Sequence, residues 1–442
     1  VNSETQITAV APKSSFLNAQ EPYSVKIVNT NGLSATLASQ INVDTSPTWS
    51  TASGSLGSFN NFGTVNVSVT ASDAEGDTIA YSVQSGSLPS GLSLNSSTGA
   101  ITGTIGSVGS STTFTFTLRA TSNSKTADRQ FTITNAGASS YVYNYTGSNQ
   151  TFTVPSGVTS FLAYMWGAGG NGASSNASTR FGGDGGAGGY VAGTISNFSA
   201  GQTFSLLVGQ GTLNAFASTA VVSYGGGGAG CDNSNGTQPL GGHGGGRSEI
   251  SIGGGSNTPA GTRILVAGAG GGGGGSNHNG EPSGNCTGGD AGYTSGQSGN
   301  GGGTTATGGS QSAGGSAGSG ASGGTGNSPT NGSAGIGGMS RSGNQNHDNN
   351  YGRPGGGGGG YYGGGGGDGG HPNITSQGGA GGSSYYNSSY VSSFAHATGS
   401  NTTAPENSNT YYASGIAKGG TGNAGNNRTG ALGGNGRIVL FY

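Results

Sequence analysis

The sequence predicts an all-β protein, and three observations lead to that fold class. Gly supplies 102 of the 442 residues, about three times its average share, and only Pro is a poorer helix former. Charged residues are 6 % of the chain, against about 25 % in ordinary domains, so the Glu and Lys that favour helices are scarce. Apolar and polar residues alternate with period two in many short stretches, which is typical of half-buried strands.

The same composition excludes several classes of function. The 13 basic and 15 acidic residues give a net charge of −2 with no basic stripe, which argues against a nucleic-acid partner. No apolar run reaches the roughly 18–20 residues that span a bilayer, so no membrane insertion is expected. None of the five His residues stands at metal-ligand spacing from another His, Cys or acid. We therefore expect no cofactor and no enzyme activity.

Residues 1–43 predict about three strands, too few for a sandwich of about seven. Tyr23–Ile27 and Leu37–Val43 alternate, and Asn31-Gly32 between them favours a tight hairpin turn. The stretches 5–8, 22–25 and 31–34 resemble the second half of an IPT/TIG immunoglobulin-like domain. The chain opens with Val1 rather than Met, and this resemblance implies that the first half lies upstream.

Residues 44–136 predict a second β module. Val65, Val67 and Val69 share one face of a strand, and Phe114, Phe116 and Leu118 repeat the pattern. The stretch Leu88–Thr104, read LPSGLSLNSSTGAITGT, resembles bacterial and phage Ig-like or cadherin-like repeats. In that family such modules are spacers along surface proteins.

Asp73, Glu75 and Asp77 alternate within this module and allow two interpretations. Alternating carboxylates offer the hard oxygen ligands that Ca²⁺ prefers. Asp and Gly also suit a solvated turn between two strands, which we favour.

Residues 137–442 hold most of the glycine, since only 11 of the 102 lie in residues 1–136. Eight strands with alternating β-branched or aromatic residues are predicted there, which favours a jelly-roll-like β-sandwich. They are Gln150–Val154, Val158–Trp166, Tyr190–Ile195, Gln202–Val208, Ala220–Tyr224, Arg247–Ile252, Thr262–Ala267 and Gly436–Tyr442.

The last two predicted strands are separated by a glycine-rich insertion, residues 268–434. It could be a flexible linker, but so long a structureless loop inside a compact domain is abnormal. The alternative is a bundle of polyglycine II helices, which have three residues per turn and no internal hydrogen bonds. Neighbouring helices would then satisfy each other's backbone groups, and only Gly permits such close approach on all sides. The sequence favours this bundle.

Two cysteines, Cys231 and Cys286, allow at most one disulfide. A single bridge and two thiols are equally compatible with the sequence.

Several motifs of the third module occur together in one known family. Phe152–Val158, Trp166–Gly170, Gly188–Val191, Leu265–Gly270 and Gly436–Val439 resemble, in this order, the glycine-rich domain of the lymphoma-type receptor kinases. Similar domains occur in phage fibres and bacterial surface proteins, and phage tail-fibre tip adhesins are alike in style. The resemblance implies a β-sandwich that carries polyglycine helices. No kinase segment accompanies it here.

Aromatic residues cluster between the glycine runs, alongside His347, His371 and His396. Tyr offers a rigid contact face with a polar end, so these residues are candidates for binding a receptor. Alternatively, they cap the glycine bundle or pack it onto the sandwich. The candidates are Tyr351, Tyr361, Tyr362, Tyr385, Tyr386, Tyr390, Phe394, Tyr411 and Tyr412.

Small spacers followed by a large terminal domain indicate a stalk and a head. The sequence therefore predicts a structural protein on a virion surface, a phage fibre or tail-associated adhesin that attaches to a host glycan or protein receptor. The alternative is a bacterial cell-surface adhesin or extracellular filament subunit. Its partners would be that receptor and other virion or surface proteins, and this function also allows a homo-oligomer.

Overall fold

The computed structural model describes the chain with gaps and divides it into two units, Val1–Ser139 and Ser140–Tyr442. No described residue belongs to a helix that could cross a membrane. The described residues are 8–11, 22–41, 44–106, 108, 110–174, 181–211, 222–231, 241–254, 261–275, 286–319, 328–340, 353–369, 375–423 and 430–442.

The first unit begins with a two-stranded antiparallel sheet, β1 (Tyr23–Val28) and β2 (Ser34–Ile41). The predicted Asn31-Gly32 turn joins the strands and is confirmed. Gly32 has a φ of 81°, and its N–H donates to the Asn29 carbonyl oxygen at 3.0 Å. Residues 1–7 and 12–21 lie outside the described part of the chain, so the third predicted strand and the IPT/TIG resemblance stay predictions.

Residues 44–136 form an Ig-like β module with three small sheets, ordered β4-β11-β10-β7, β5-β9-β8 and β3-β6. β4 runs parallel to β11, and the other pairs are antiparallel. Trp49 fills the core between them, with its ring centre 5.4 Å from that of Phe131. The strands are β3 (Thr48–Trp49), β4 (Gly54–Phe59), β5 (Thr64–Ser68), β6 (Ala71–Ser72), β7 (Ala80–Gly86), β8 (Leu92–Leu94), β9 (Ala100–Thr104), β10 (Thr112–Ser122) and β11 (Lys125–Asn135).

The second unit is built on two five-stranded antiparallel sheets, ordered β12-β21-β14-β15-β20 and β13-β16-β17-β18-β19. Their inner faces meet through aromatic rings: Phe161 lies 5.0 Å from Phe152 and 5.3 Å from Phe204, centre to centre. The strands are β12 (Ser140–Asn144), β13 (Gln150–Thr153), β14 (Phe161–Trp166), β15 (Gly189–Ile195), β16 (Thr203–Leu207), β17 (Ser248–Ile252), β18 (Thr262–Ala267), β19 (Tyr385–Tyr386), β20 (Val391–Thr398) and β21 (Arg437–Phe441).

The all-β class is thus confirmed, and no α-helix occurs in the described residues. Seven of the eight strands predicted here are present within a few residues of their expected bounds. The predicted strand Ala220–Tyr224 is wrong over residues 222–224, which enter a tight turn where the Ser223 N–H donates to the Gly227 carbonyl oxygen. β12, β19 and β20 were not predicted, because their sequences lack a clear apolar alternation.

The glycine-rich segments bond to one another through their backbones with a three-residue period. Along 269–274, N–H groups three residues apart donate to the same neighbour, at 2.7–3.0 Å. The carbonyl groups that accept these bonds belong to segments 168–171, 286–289 and 356–359. Three further segments donate their own N–H groups to the carbonyls of 269–274, namely 183–186, 242–245 and 379–382. This segment is therefore enclosed on all sides by other backbone segments.

Glycine is required in this lattice of segments because there is no room for a side chain. A Cβ atom at Gly272 would lie 2.0 Å from the Gly242 carbonyl oxygen. The lattice also differs in extent from the predicted insertion 268–434. Segments 168–173, 182–188, 225–231 and 241–246 precede that insertion yet join the lattice, whereas β19 and β20 lie inside it yet extend the two sheets.

Candidate functional site: aromatic clusters around strand β19

A buried ion cluster joins the second sheet to the glycine lattice. Glu249 on β17 accepts hydrogen bonds through Oε2 from Arg247 Nε at 2.7 Å and from Arg263 Nε at 3.0 Å. The three side chains are only 0–9 % exposed. Burial opposes ionisation of Glu249, but the two guanidinium groups outweigh it and hold the pKa of the carboxyl below its ordinary value. The carboxylate therefore stays charged inside the unit.

Both guanidinium groups also hold backbone carbonyls of the lattice. Arg247 Nη1 donates to the carbonyl oxygens of Gly225 and Gly335, at 3.0 and 2.9 Å. Arg263 reaches the Tyr361 carbonyl oxygen through Nη1 at 2.8 Å. The ion cluster thus fixes the backbone at Tyr361, directly after the glycine run Gly355–Gly360.

Three of the predicted tyrosines meet at this place, and we call them the lattice cluster: Tyr361, Tyr362 and Tyr385. The Tyr361 ring stacks on Tyr385 with centres 3.8 Å apart and meets Tyr362 edge-on at 5.3 Å. The Arg263 guanidinium lies 4.8 Å from the centre of the Tyr361 ring. Burial, followed by the neighbouring Tyr361, raises the pKa of Tyr385. The Tyr361 ring is therefore already in contact with two tyrosines and one guanidinium group inside the protein.

A second group of rings lies on the other side of β19, because successive side chains of a strand point to opposite faces. We call it the edge cluster: Tyr293, Tyr386, Phe394 and His396. Phe394 stacks on Tyr386 at 4.2 Å, and His396 stacks on Tyr293 at 4.7 Å between ring centres. His396 is exposed and the other three rings are half-buried. β19 and β20 are the outer strands of the two sheets, so the edge cluster lies where the sandwich opens to solvent.

Tyr293 was not among the predicted residues. Its sequence neighbours, Gly292 and Thr294, are not aromatic, so Tyr293 does not stand in an aromatic cluster of the sequence. Only the fold brings it next to β20. Gln311 fixes its position by donating through Nε2 to the Tyr293 carbonyl oxygen at 2.6 Å.

Tyr411 and Tyr412 occupy a different environment, the outer face of the first sheet. Tyr411 packs edge-on against Phe441 at 4.5 Å, and the Tyr412 hydroxyl donates to the Ile416 carbonyl oxygen at 3.2 Å. The Trp166 indole N–H donates to the Pro405 carbonyl oxygen below them at 3.1 Å. This packing fits the alternative in which aromatic residues attach loops to the sandwich.

The remaining candidates are spread over other parts of the chain. Tyr390 lies in the turn before β20, where its N–H donates to the Asn387 carbonyl oxygen. Tyr351, His347 and His371 lie outside the described residues.

The predicted acidic motif closes a turn and also meets a third aspartate. Asp73 Oδ1 accepts the N–H groups of Glu75 and Asp77 at 3.0 and 3.3 Å. Glu75 turns away and binds Thr45, with its Oε2 accepting the Thr45 N–H at 3.2 Å. Asp44 takes its place, and carboxylate oxygens of Asp44, Asp73 and Asp77 lie within 4.8 Å of one another. The motif therefore satisfies the turn interpretation, and the calcium interpretation would involve Asp44 rather than Glu75.

Cys231 and Cys286 are buried thiols rather than a disulfide. Two other backbone segments lie between them. The Gly241 N–H donates to the Cys231 carbonyl oxygen, and the next N–H, of Gly242, donates to the Gly273 carbonyl oxygen. The Gly274 N–H in turn donates to the Cys286 carbonyl oxygen. Of the two alternatives that the sequence allows, the structure therefore has the thiols.

Comparison with known proteins supports the Ig-like module. Residues 46–136 match the family model described as "Putative Ig domain". A search of curated proteins gave no match. Among solved structures, the protocadherin GammaB4 extracellular domain is 15 % identical, with 31 % of this chain and 25 % of that chain covered and a TM-score of 0.21. The endo-fucoidan hydrolase MfFcnA4 of glycoside hydrolase family 107 is 12 % identical, with 42 % and 33 % covered and a TM-score of 0.20.

The chain thus spans a quarter to a third of the length of these two structures.

Proposed function

We propose that this chain is a structural protein of a virion surface, a phage fibre or tail-associated adhesin, and that its second unit attaches the particle to a host cell. The observation that carries the proposal is the edge cluster. Four aromatic rings from three separate segments are held together at the surface of the second unit. Rigid, partly exposed rings are the side chains that recognition surfaces favour.

The Ig-like module supports the same proposal, because such modules serve as spacers in the surface proteins that its sequence resembles. The ion cluster supports it as well, since its charged groups hold backbone carbonyls and bridge the lattice to the sheet. Charged groups used in this way favour a structural role over catalysis.

We infer further that the glycine segments are polyglycine II helices. Along 269–274 every backbone N–H donates to another segment, and the pattern repeats every three residues, as expected for a helix with three residues per turn. Crystallographic backbone angles near about −75° and +145° along 269–274 would support this inference, and strand-like values of about −140° and +135° would contradict it.

Adsorption to whole bacterial cells tests the function. The full chain should bind host cells, and Phe394→Ala should reduce this binding while the melting curve stays cooperative. Tyr411→Phe is the matched control, because Tyr411 packs on the outer face of the first sheet. Equal binding by wild type and Phe394→Ala would contradict the role of the edge cluster.

Antibody labelling in the electron microscope tests the location. Label on phage particles supports the virion proposal. Label on uninfected bacteria supports instead a cell-surface adhesin or filament subunit.

A further inference from the structure

The edge cluster contains no Lys, Arg, Asp or Glu, and this composition narrows the chemistry of what can bind it. No ion pair or cation–π contact within the described residues involves Tyr293, Tyr386, Phe394 or His396. Burial, followed by the neighbouring Tyr386, raises the pKa of the Tyr293 phenol, and no charged side chain contributes to the shift. The phenol therefore stays protonated and uncharged at neutral pH.

The rings of the edge cluster hold each other in place. Phe394 is the central ring, since its centre lies 4.2 Å from that of Tyr386 and 4.9 Å from that of Tyr293. His396 lies at the outer end of the stack and is exposed. A ligand therefore meets a preformed aromatic surface and does not have to order it, which lowers the cost of binding.

Polar groups border the rings. Phe394, His396 and Thr398 occupy alternate positions of β20, which place them on one face of the strand. β20 pairs only with β15 among the described strands, so the N–H and C=O groups of its outer side face away from the sheet. A ligand that stacks on the rings would also find donors and acceptors at their rim.

We propose that the edge cluster binds a neutral saccharide, with a pyranose ring stacked on the exposed ring of His396 and in contact with Phe394; this inference rests on the attachment function proposed above. A pyranose has an apolar C–H face for the rings and hydroxyl groups for the polar rim. An acidic saccharide or a charged peptide would find no Lys, Arg, Asp or Glu within this cluster to pair with. The lattice cluster is a poorer site, because none of its three rings is exposed, whereas His396 is.

Saturation-transfer NMR on the full chain tests the proposal. The probes are the methyl glycosides of glucose, galactose, mannose and N-acetylglucosamine, with N-acetylneuraminic acid and glucuronic acid as acidic comparisons. We expect at least one neutral glycoside, and neither acid, to receive saturation from the protein. Phe394→Ala and His396→Ala should each weaken this binding about fivefold, which is the change expected for losing one ring contact.

Tyr362→Ala is the matched control and should bind like wild type, because Tyr362 belongs to the lattice cluster. His396→Ala keeps the test valid if Phe394→Ala fails to fold, since the His396 ring is exposed. Binding of the acids alone, binding that His396→Ala leaves unchanged, or no binding of any glycoside would overturn the proposal. So would a dimer in sedimentation that His396→Ala dissociates, because a second copy would then cover the rings.

The two proposals fail separately. A wild-type chain that adsorbs to cells but receives no saccharide signal would leave the attachment function standing and overturn the saccharide site. A chain that binds a neutral glycoside through His396 but adsorbs to no cell would leave the saccharide site standing and overturn the attachment function.

Discussion

A single methyl group placed inside the glycine lattice should destabilise the second unit strongly, and Gly272→Ala is the sharpest case. The added Cβ would lie 2.0 Å from the Gly242 carbonyl oxygen and 2.4 Å from its carbon. Ordinary contact begins near 3.4 Å, so the two backbones would have to separate by about 1.4 Å. No flexible side chain stands between them to absorb this movement.

The cost follows from the hydrogen bonds that join these two segments. The N–H groups of Gly242 and Gly245 donate to the carbonyl oxygens of Gly273 and Gly270, both at 2.8 Å. A separation of that size breaks both bonds inside a region closed to water. At about 1–3 kcal/mol for each buried donor left unsatisfied, we expect a loss of about 2–6 kcal/mol.

Urea unfolding followed by tyrosine fluorescence measures this loss, and Gly201→Ala is the control. Gly201 has a φ of +72° and no atom within 4 Å of an added Cβ, so its substitution should cost only the backbone strain of about 1–2 kcal/mol. A Gly272→Ala variant no less stable than Gly201→Ala would refute the reasoning that the lattice excludes side chains.

Three other predictions concern charged groups. Glu249→Gln should lower the free energy of unfolding by about 3–5 kcal/mol in urea titrations, because it leaves two buried guanidinium groups without their carboxylate. The control is Asp128→Asn, which breaks the exposed ion pair with Arg119 and should cost under about 1 kcal/mol. An equally small loss for Glu249→Gln would contradict the prediction. Because the pKa of Glu249 is lowered in the folded protein, its charged carboxylate stabilises the fold above pH 4.5, the ordinary pKa of Glu, and this stabilisation is lost as the pH falls below that value. In thermal melts from pH 7 to pH 3, the melting temperature of Glu249→Gln should therefore fall less than that of the wild type. Asp73→Ala should cost about 1 kcal/mol because it removes the acceptor of two turn N–H groups, whereas Asp73→Asn should cost less. A wild-type melting temperature that rises with added Ca²⁺, and does not rise in Asp44→Asn, would favour the calcium interpretation.

Much of the fold follows from local alternation of side chains. The predicted strand Thr262–Ala267 has the bounds observed for β18, because its apolar residues face packed layers. β12 has no counterpart among the predicted strands, since its edge position leaves Tyr141 and Val142 exposed. Its strand character comes from pairing with β21, about 300 residues away in sequence, and no local pattern reports such a partner.

The glycine lattice leaves a sequence signal that composition alone does not show. Residues 182–190 read GGDGGAGGY, so a side chain occurs at every third position, as a helix with three residues per turn requires. The uninterrupted run Gly270–Gly275 marks a segment enclosed by neighbours. The edge cluster has no comparable signal, because Tyr293 and Phe394 come together only through tertiary packing.

The enclosed segment 269–274 also has a kinetic consequence. Its six neighbours come from positions between 168 and 382, so it cannot be completed until long stretches of chain have closed into loops. Closure over such sequence separations slows folding. The second unit should therefore mature slowly after synthesis, with its glycine backbones exposed to self-association until the final segments dock.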